Sequence, residues 1–142
     1  MATTVQQAYD MAIKLMNEQN DETGATNSSE LDTYKNRSIA LINILVSDLY
    51  NISDNTTLSS TAKPVPDLLL LFTEDIDLDD RLSVNVLPYG LAGHLYKGEN
   101  EDMAQYFLGV YYNLKKEYSR RKPTAKSSIT NVYGAFSSSV RR

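Results

Sequence analysis

Residues 78–97, LDDRLSVNVLPYGLAGHLYK, are apolar on almost every side of a helix. Such a helix cannot lie with one face in water and has to be covered by other elements all round. The segment is therefore expected to be the central, most buried helix of an all-α bundle. Pro88 removes a backbone donor and clashes with the preceding turn, so a kink or break is expected near Leu87. Gly90 and Gly93 would let neighbouring helices approach closely.

Three amphipathic stretches can supply the cover. In residues 4–18, Val5, Ala8, Tyr9, Ala12, Leu15 and Met16 recur at three- and four-residue spacing, and Thr3 or Thr4 with Gln6 or Gln7 offers a capping box. From residue 30 to 52, Leu31, Tyr34, Leu41, Ile42, Leu45, Val46, Leu49 and Ile52 keep the helical period, with Ser28 or Ser29 as N-cap. Asn100 caps a last helix to about Arg121, with Met103, Phe107, Val110, Tyr111, Leu114 and Tyr118 on one face. The expected fold is all-α: a bundle of four main helices at 4–18, 30–52, 78–97 and 100–121, with an extended C-terminal tail. The body spans residues 1–122 and the tail 123–142.

Polar segments 20–29 and 53–66 read as loops, the second closed by two prolines. DLLLLF after it is expected to form a short helix or turn packed on the core. Asp75, Asp77 and Asp79 alternate like calcium ligands, but a calcium loop begun at Asp75 needs Gly at position 80 and Glu at 86, where the chain has Asp80 and Val86. Asp77 is instead expected to cap the next helix, with Asp79 and Asp80 favouring its positive end.

Composition removes several classes of function. The chain has no cysteine and a single histidine, His94, which excludes thiolate chemistry, disulfides and a His-pair metal site. His94 sits in an apolar setting without a nucleophile elbow and reads as a packed or hydrogen-bonded side chain. Phosphate-loop, dinucleotide and zinc motifs are missing, so no enzyme, metal or cofactor is expected. The apolar run VPDLLLLF is far shorter than a membrane span of roughly 20 residues, and the start shows no signal-peptide pattern, so a soluble, cytoplasmic chain is expected. The four Asn-x-Ser/Thr sequons then reflect a chain rich in those residues.

Charge is divided along the chain. From Lys115 onward eight Lys or Arg face one acid, a charge of +7, whereas residues 1–114 carry −11. A basic tail on an acidic body suggests a negatively charged partner, nucleic acid or an acidic protein surface. Most of the ten tyrosines fall on helix faces of the acidic body, where rings pack and hydroxyls reach the edge; only Tyr118 and Tyr133 lie among cations.

The tail contains SSITNVYGAF, residues 127–136, whose apolar members are set among small polar residues without a complete helical or strand pattern. Together with RLSVNVLPYGLAGHLYKGENEDMAQYFLGVYYNLKKEY, residues 81–118, it resembles the head–tail connector, or adaptor, proteins of tailed bacteriophages. That resemblance covers most of residues 30–136; Ala135 stands where the family pattern has a second glycine. It implies a structural virion protein at the head–tail junction, assembled in the host cytoplasm. The implied assembly is a ring of twelve copies beneath the portal protein, meeting a downstream neck or tail-completion protein and continuing the DNA channel without reading sequence. The tail would dock on the portal through Ile129, Val132, Tyr133, Gly134 and Phe136, with the basic Arg120, Arg121 and Lys122 at its root. A segment ordered only on its partner can wrap a large surface with a few apolar anchors, and twenty residues reach up to roughly 65 Å. The competing expectation is a DNA-binding regulator or packaging subunit whose basic tail grips phosphates; the acidic body disfavours it.

Overall fold

The computed structural model describes residues 2–18, 31–53 and 66–121. It is helical, with no strands among the described residues. The elements are α1 (Val5–Met16), α2 (Asp32–Leu49) running into a 3₁₀ turn (Tyr50–Ile52), α3 (Asp80–Asn85), α4 (Leu87–Tyr96) and α5 (Glu101–Arg121). The N-caps expected at Ser28 or Ser29, the loop at 20–29 and most of the connector at 53–66 lie outside the described residues.

Helix α1 starts with the capping box in its Thr4–Gln7 form: the Thr4 hydroxyl accepts from the Gln7 amide and the Gln7 carboxamide accepts from the Thr4 amide. It stops at Asn17, whose left-handed backbone (φ 58°) lets its amide reach back to Ile13 and Lys14. The expected helix at 78–97 is two helices. The break falls at Val86, and Pro88 stands in the first turn of α4, where its missing N–H costs nothing. The cap of α3 is Asp79, which accepts from the Leu82 amide at 3.1 Å, rather than Asp77; the Asp77 carboxylate accepts from the Tyr50 hydroxyl instead.

Helix α4 lies at the centre, as its all-round apolar character requires. Leu87, Leu91 and Leu95 are fully buried, and α1, α2 and α5 surround them. Both α4 glycines are there for close approach: a Cβ on Gly90 would lie 2.8 Å from Leu45 of α2 and 2.8 Å from Tyr111 of α5. One on Gly93 would lie 2.7 Å from Leu108 of α5. On α5 the inward positions are Ala104, Phe107 and Tyr111; Met103, expected inside, is 38% exposed because Ala104 occupies the contact.

Candidate functional site

Helix α5 is fixed along its length. Asn100 caps it by accepting from the Met103 amide, and Glu101 reaches back to the amide of Gly98, whose φ of 95° suits glycine. Its first half packs on α4; its second half is held to α2 by polar contacts. The Asp48 carboxylate accepts from the Tyr111 hydroxyl at 2.6 Å and from the Lys115 ammonium at 2.6 Å. Burial alone would raise the Asp48 pKa, but the Lys115 and Tyr111 hydrogen bonds outweigh it and hold the carboxyl below its ordinary range.

Tyr34, Tyr96 and Tyr111 share one design, rings buried and hydroxyls on carboxylates or carbonyls. Tyr34 donates to Glu99, and Tyr96 donates to the Met16 carbonyl at 2.7 Å and to Glu18. Burial, with the Glu18 hydrogen bond second, pushes Tyr96 up to about 12; burial, with Asp10 nearby, does the same to Tyr9. These phenols are structural pins and stay protonated across the physiological range. His94 is half-buried, and desolvation followed by Lys97 lowers its pKa, so it is neutral at pH 7. Among the described residues, no three of His, Asp and Glu are grouped so as to hold a metal ion, and no helix is long and apolar enough to cross a membrane.

Among the described residues, three surfaces are exposed and apolar. At the C-terminal end of α5, a groove of about 540 Å³ runs between Met11 and Leu15 of α1, Val84 of α3, Tyr89 of α4, and Leu114 and Tyr118 of α5. Asn85 donates to the Tyr118 hydroxyl at 3.3 Å across it. Past Met11, Lys14 and Val84 the groove continues between Gln7 and Asp10, and the neighbouring cleft beside Ala2 is lined by Asp75, Asp77, Asp79 and Asp80.

The second surface is a strap, residues 66–74, that crosses α1 and α2. Asn43 grips it with both ends of its carboxamide: Oδ1 accepts from the Leu69 amide at 2.8 Å and Nδ2 donates to the Leu69 carbonyl at 2.8 Å. Glu74 accepts from the Leu70 and Leu71 amides at 2.5 and 2.8 Å, and those backbone bonds, Leu71 first, hold its carboxyl below the usual range. Leu69 is buried, and Phe72 meets Tyr9 edge-on at 5.8 Å with the Lys35 ammonium over its ring. Leu68, Leu70 and Leu71 face out at 70%, 66% and 60% exposure, and Ile44 of α2 is 61% exposed. DLLLLF was expected to be packed on the core; only two of its side chains are directed inward. The third surface is the outer face of α5, where Tyr106 and Tyr112 are exposed on either side of Gly109.

Of the residues that the sequence singles out for docking, Arg120 and Arg121 stand in the last turn of α5. Lys122, Ile129, Val132, Tyr133, Gly134 and Phe136 lie outside the described residues. The strap went unread in the sequence, since four consecutive leucines carry no period from which to tell an outward side chain from an inward one. Comparisons with protein families, with curated proteins and with solved structures find no match.

Proposed function

We propose that this protein is a head–tail connector of a tailed bacteriophage: a structural, non-enzymatic adaptor that forms a ring beneath the portal and docks on it through residues 123–142. In this reading the ring carries the DNA channel on toward the tail. The observation that carries it is where the resembling stretch falls. Residues 81–118 form α3, α4 and the packed length of α5, the hub on which the other helices rest, so the likeness concerns the architecture of the body. The SSITNVYGAF segment, with a few apolar side chains set among small polar ones and no complete helical or strand pattern, suits a partner's surface better than a core of its own. Exposed leucines and tyrosines on two further faces suit a subunit that meets copies of itself and a downstream protein.

The test is assembly. Mixed with portal rings of its own phage, the purified protein is expected to co-sediment and to appear as a second ring in electron micrographs. Deleting residues 123–142, or replacing Tyr133 and Phe136 by Ala, should abolish co-sedimentation while thermal melts stay close to the parent, because a loss in each subunit multiplies around a ring. Normal assembly of the truncated protein overturns the arm's role. Tight binding of duplex DNA by the isolated protein, falling steeply with salt, would favour the DNA-binding regulator instead.

A further inference from the structure

We propose that in the free subunit the C-terminal segment lies back along its own body, with Tyr133 and Phe136 in the groove beside Tyr118 and with Arg141 and Arg142 at the Asp75–Asp80 cleft. Three observations lead there. The first is the exit point: α5 ends at Arg121, and Tyr118, one turn earlier, forms a wall of the groove, so the chain leaves the helix at the groove's mouth. The second is the order of chemistry. Moving away from α5, the track is first apolar, through Leu114, Tyr89, Val84 and Met11, and then acidic, through Asp75 and Asp77. Moving away from Arg121, the chain offers its apolar side chains first and its paired arginines last. The third is charge, −11 over residues 1–114 against +7 from Lys115 onward.

Reach is no obstacle. Twelve residues separate Arg121 from Tyr133 and span up to about 40 Å when extended, more than the roughly 32 Å length of α5 itself. The groove has the volume of a ligand-sized cleft, about 300–1,000 Å³. Tethering gives the segment an effective concentration in the millimolar range, so modest contacts suffice to hold it there. Lys14 at the waist of the track falls opposite the uncharged stretch between Phe136 and Arg141, so it opposes no cation of the segment.

The inference goes beyond the connector reading and does not depend on it, because it concerns the isolated chain. If both hold, the same side chains serve two seats, and the segment has to leave the groove before it can dock.

The experiment uses the full-length protein with Ser138→Cys, the only thiol in the chain, carrying a nitroxide. With the label oxidised, the amide signals of Gln7, Met11 and Val84 are expected to be lost, and reduction with ascorbate should restore them. Val84→Glu, at a position 43% exposed, should abolish the loss without unfolding the body. An equimolar mixture of spin-labelled chains with isotope-labelled, nitroxide-free chains should show no loss. Loss in that mixture means the seat belongs to a second copy and overturns the proposal. Loss confined to Leu68–Leu71, unchanged signals throughout, or loss that survives Val84→Glu overturns it equally. No portal is present, so the outcome is independent of the connector assignment.

Discussion

Helix α4 and the strap are the two most leucine-rich parts of the molecule, and they use leucine in opposite ways. In α4, Leu87, Leu91 and Leu95 are sealed from water and the helix is held by what surrounds it. In the strap, Leu68, Leu70 and Leu71 stand in water and the backbone is held by polar clamps, the Asn43 carboxamide and the Glu74 carboxylate. Apolar character thus fixes position only where enough partners exist to cover it. Where the backbone is tied first, the side chains go wherever the tie sends them. A loop fixed in this way presents a preformed apolar surface, which lowers the ordering cost of binding.

The comparison breaks most visibly on truncation. Leu91→Ala should cost about 2–5 kcal/mol, the range for a fully buried leucine, whereas Leu70→Ala should stay within about 0.5 kcal/mol. Urea titrations of both variants measure this, and equal losses would mean that the strap is covered in solution. Glycines give the next contrast. Gly93→Ala drives a methyl into Leu108, whose backbone amide is also only 3.1 Å from the new atom, and should destabilise by about 1–3 kcal/mol. Gly109→Ala meets nothing within 4 Å and should stabilise by about 0.4–1 kcal/mol, seen as a rise in Tm.

Asn43→Ala tests the clamp. It strands the Leu69 amide and carbonyl in a part-buried setting and should cost about 1–2 kcal/mol. Hydrogen exchange should quicken at Leu69 and Leu70 while the amides of α4 keep their protection. A small effect is also expected at the rim of α5. Lys115→Met should cost about 0.2–1 kcal/mol at neutral pH, the range for an exposed ion pair. Asp48 has a lowered pKa in the folded state, so its contribution is present above the ordinary carboxylate range and is lost as pH falls through the lowered value. Denaturation of parent and variant should therefore converge in acid.

Helices were legible because their signals are local. Thr4 with Gln7, Asn100 before α5, and the period of Val5, Ala8, Tyr9 and Ala12 are all written within a few residues, and the all-round apolar run at 78–97 located the centre. The proline break was placed within one residue, at Val86 rather than near Leu87. What escaped depends on residues far apart in the chain. Asn43 and Leu69 are 26 positions apart, and nothing in DLLLLF announces that an amide on another helix will hold its backbone. Met103 and Ala104 exchanged roles for a similar reason: the period fixes a face to within about one residue, and packing on Tyr96 and Tyr89 through Phe107 selects the small side chain for the closest contact. The residues proposed to dock, from Ile129 to Phe136, rest on a pattern in the sequence alone.

The seat of α1 has a consequence for synthesis. Its first turn is bonded to Phe72 and Glu74, Thr3 just before it receives hydrogen bonds from Ile76 and Ser83, and its last turn takes the Tyr96 hydroxyl, the Thr3–Ser83 and Met16–Tyr96 pairs being 80 residues apart. At about 5–20 residues per second, α1 leaves the ribosome roughly 4–16 s before Ser83 and Tyr96 leave it. A twelve-residue helix is marginal alone in water, even with a capping box. During that interval Val5, Tyr9 and Ile13 have no core to enter, so an early-made helix becomes one of the last to be locked, and nascent chains stalled before residue 96 are the species most exposed to chaperones.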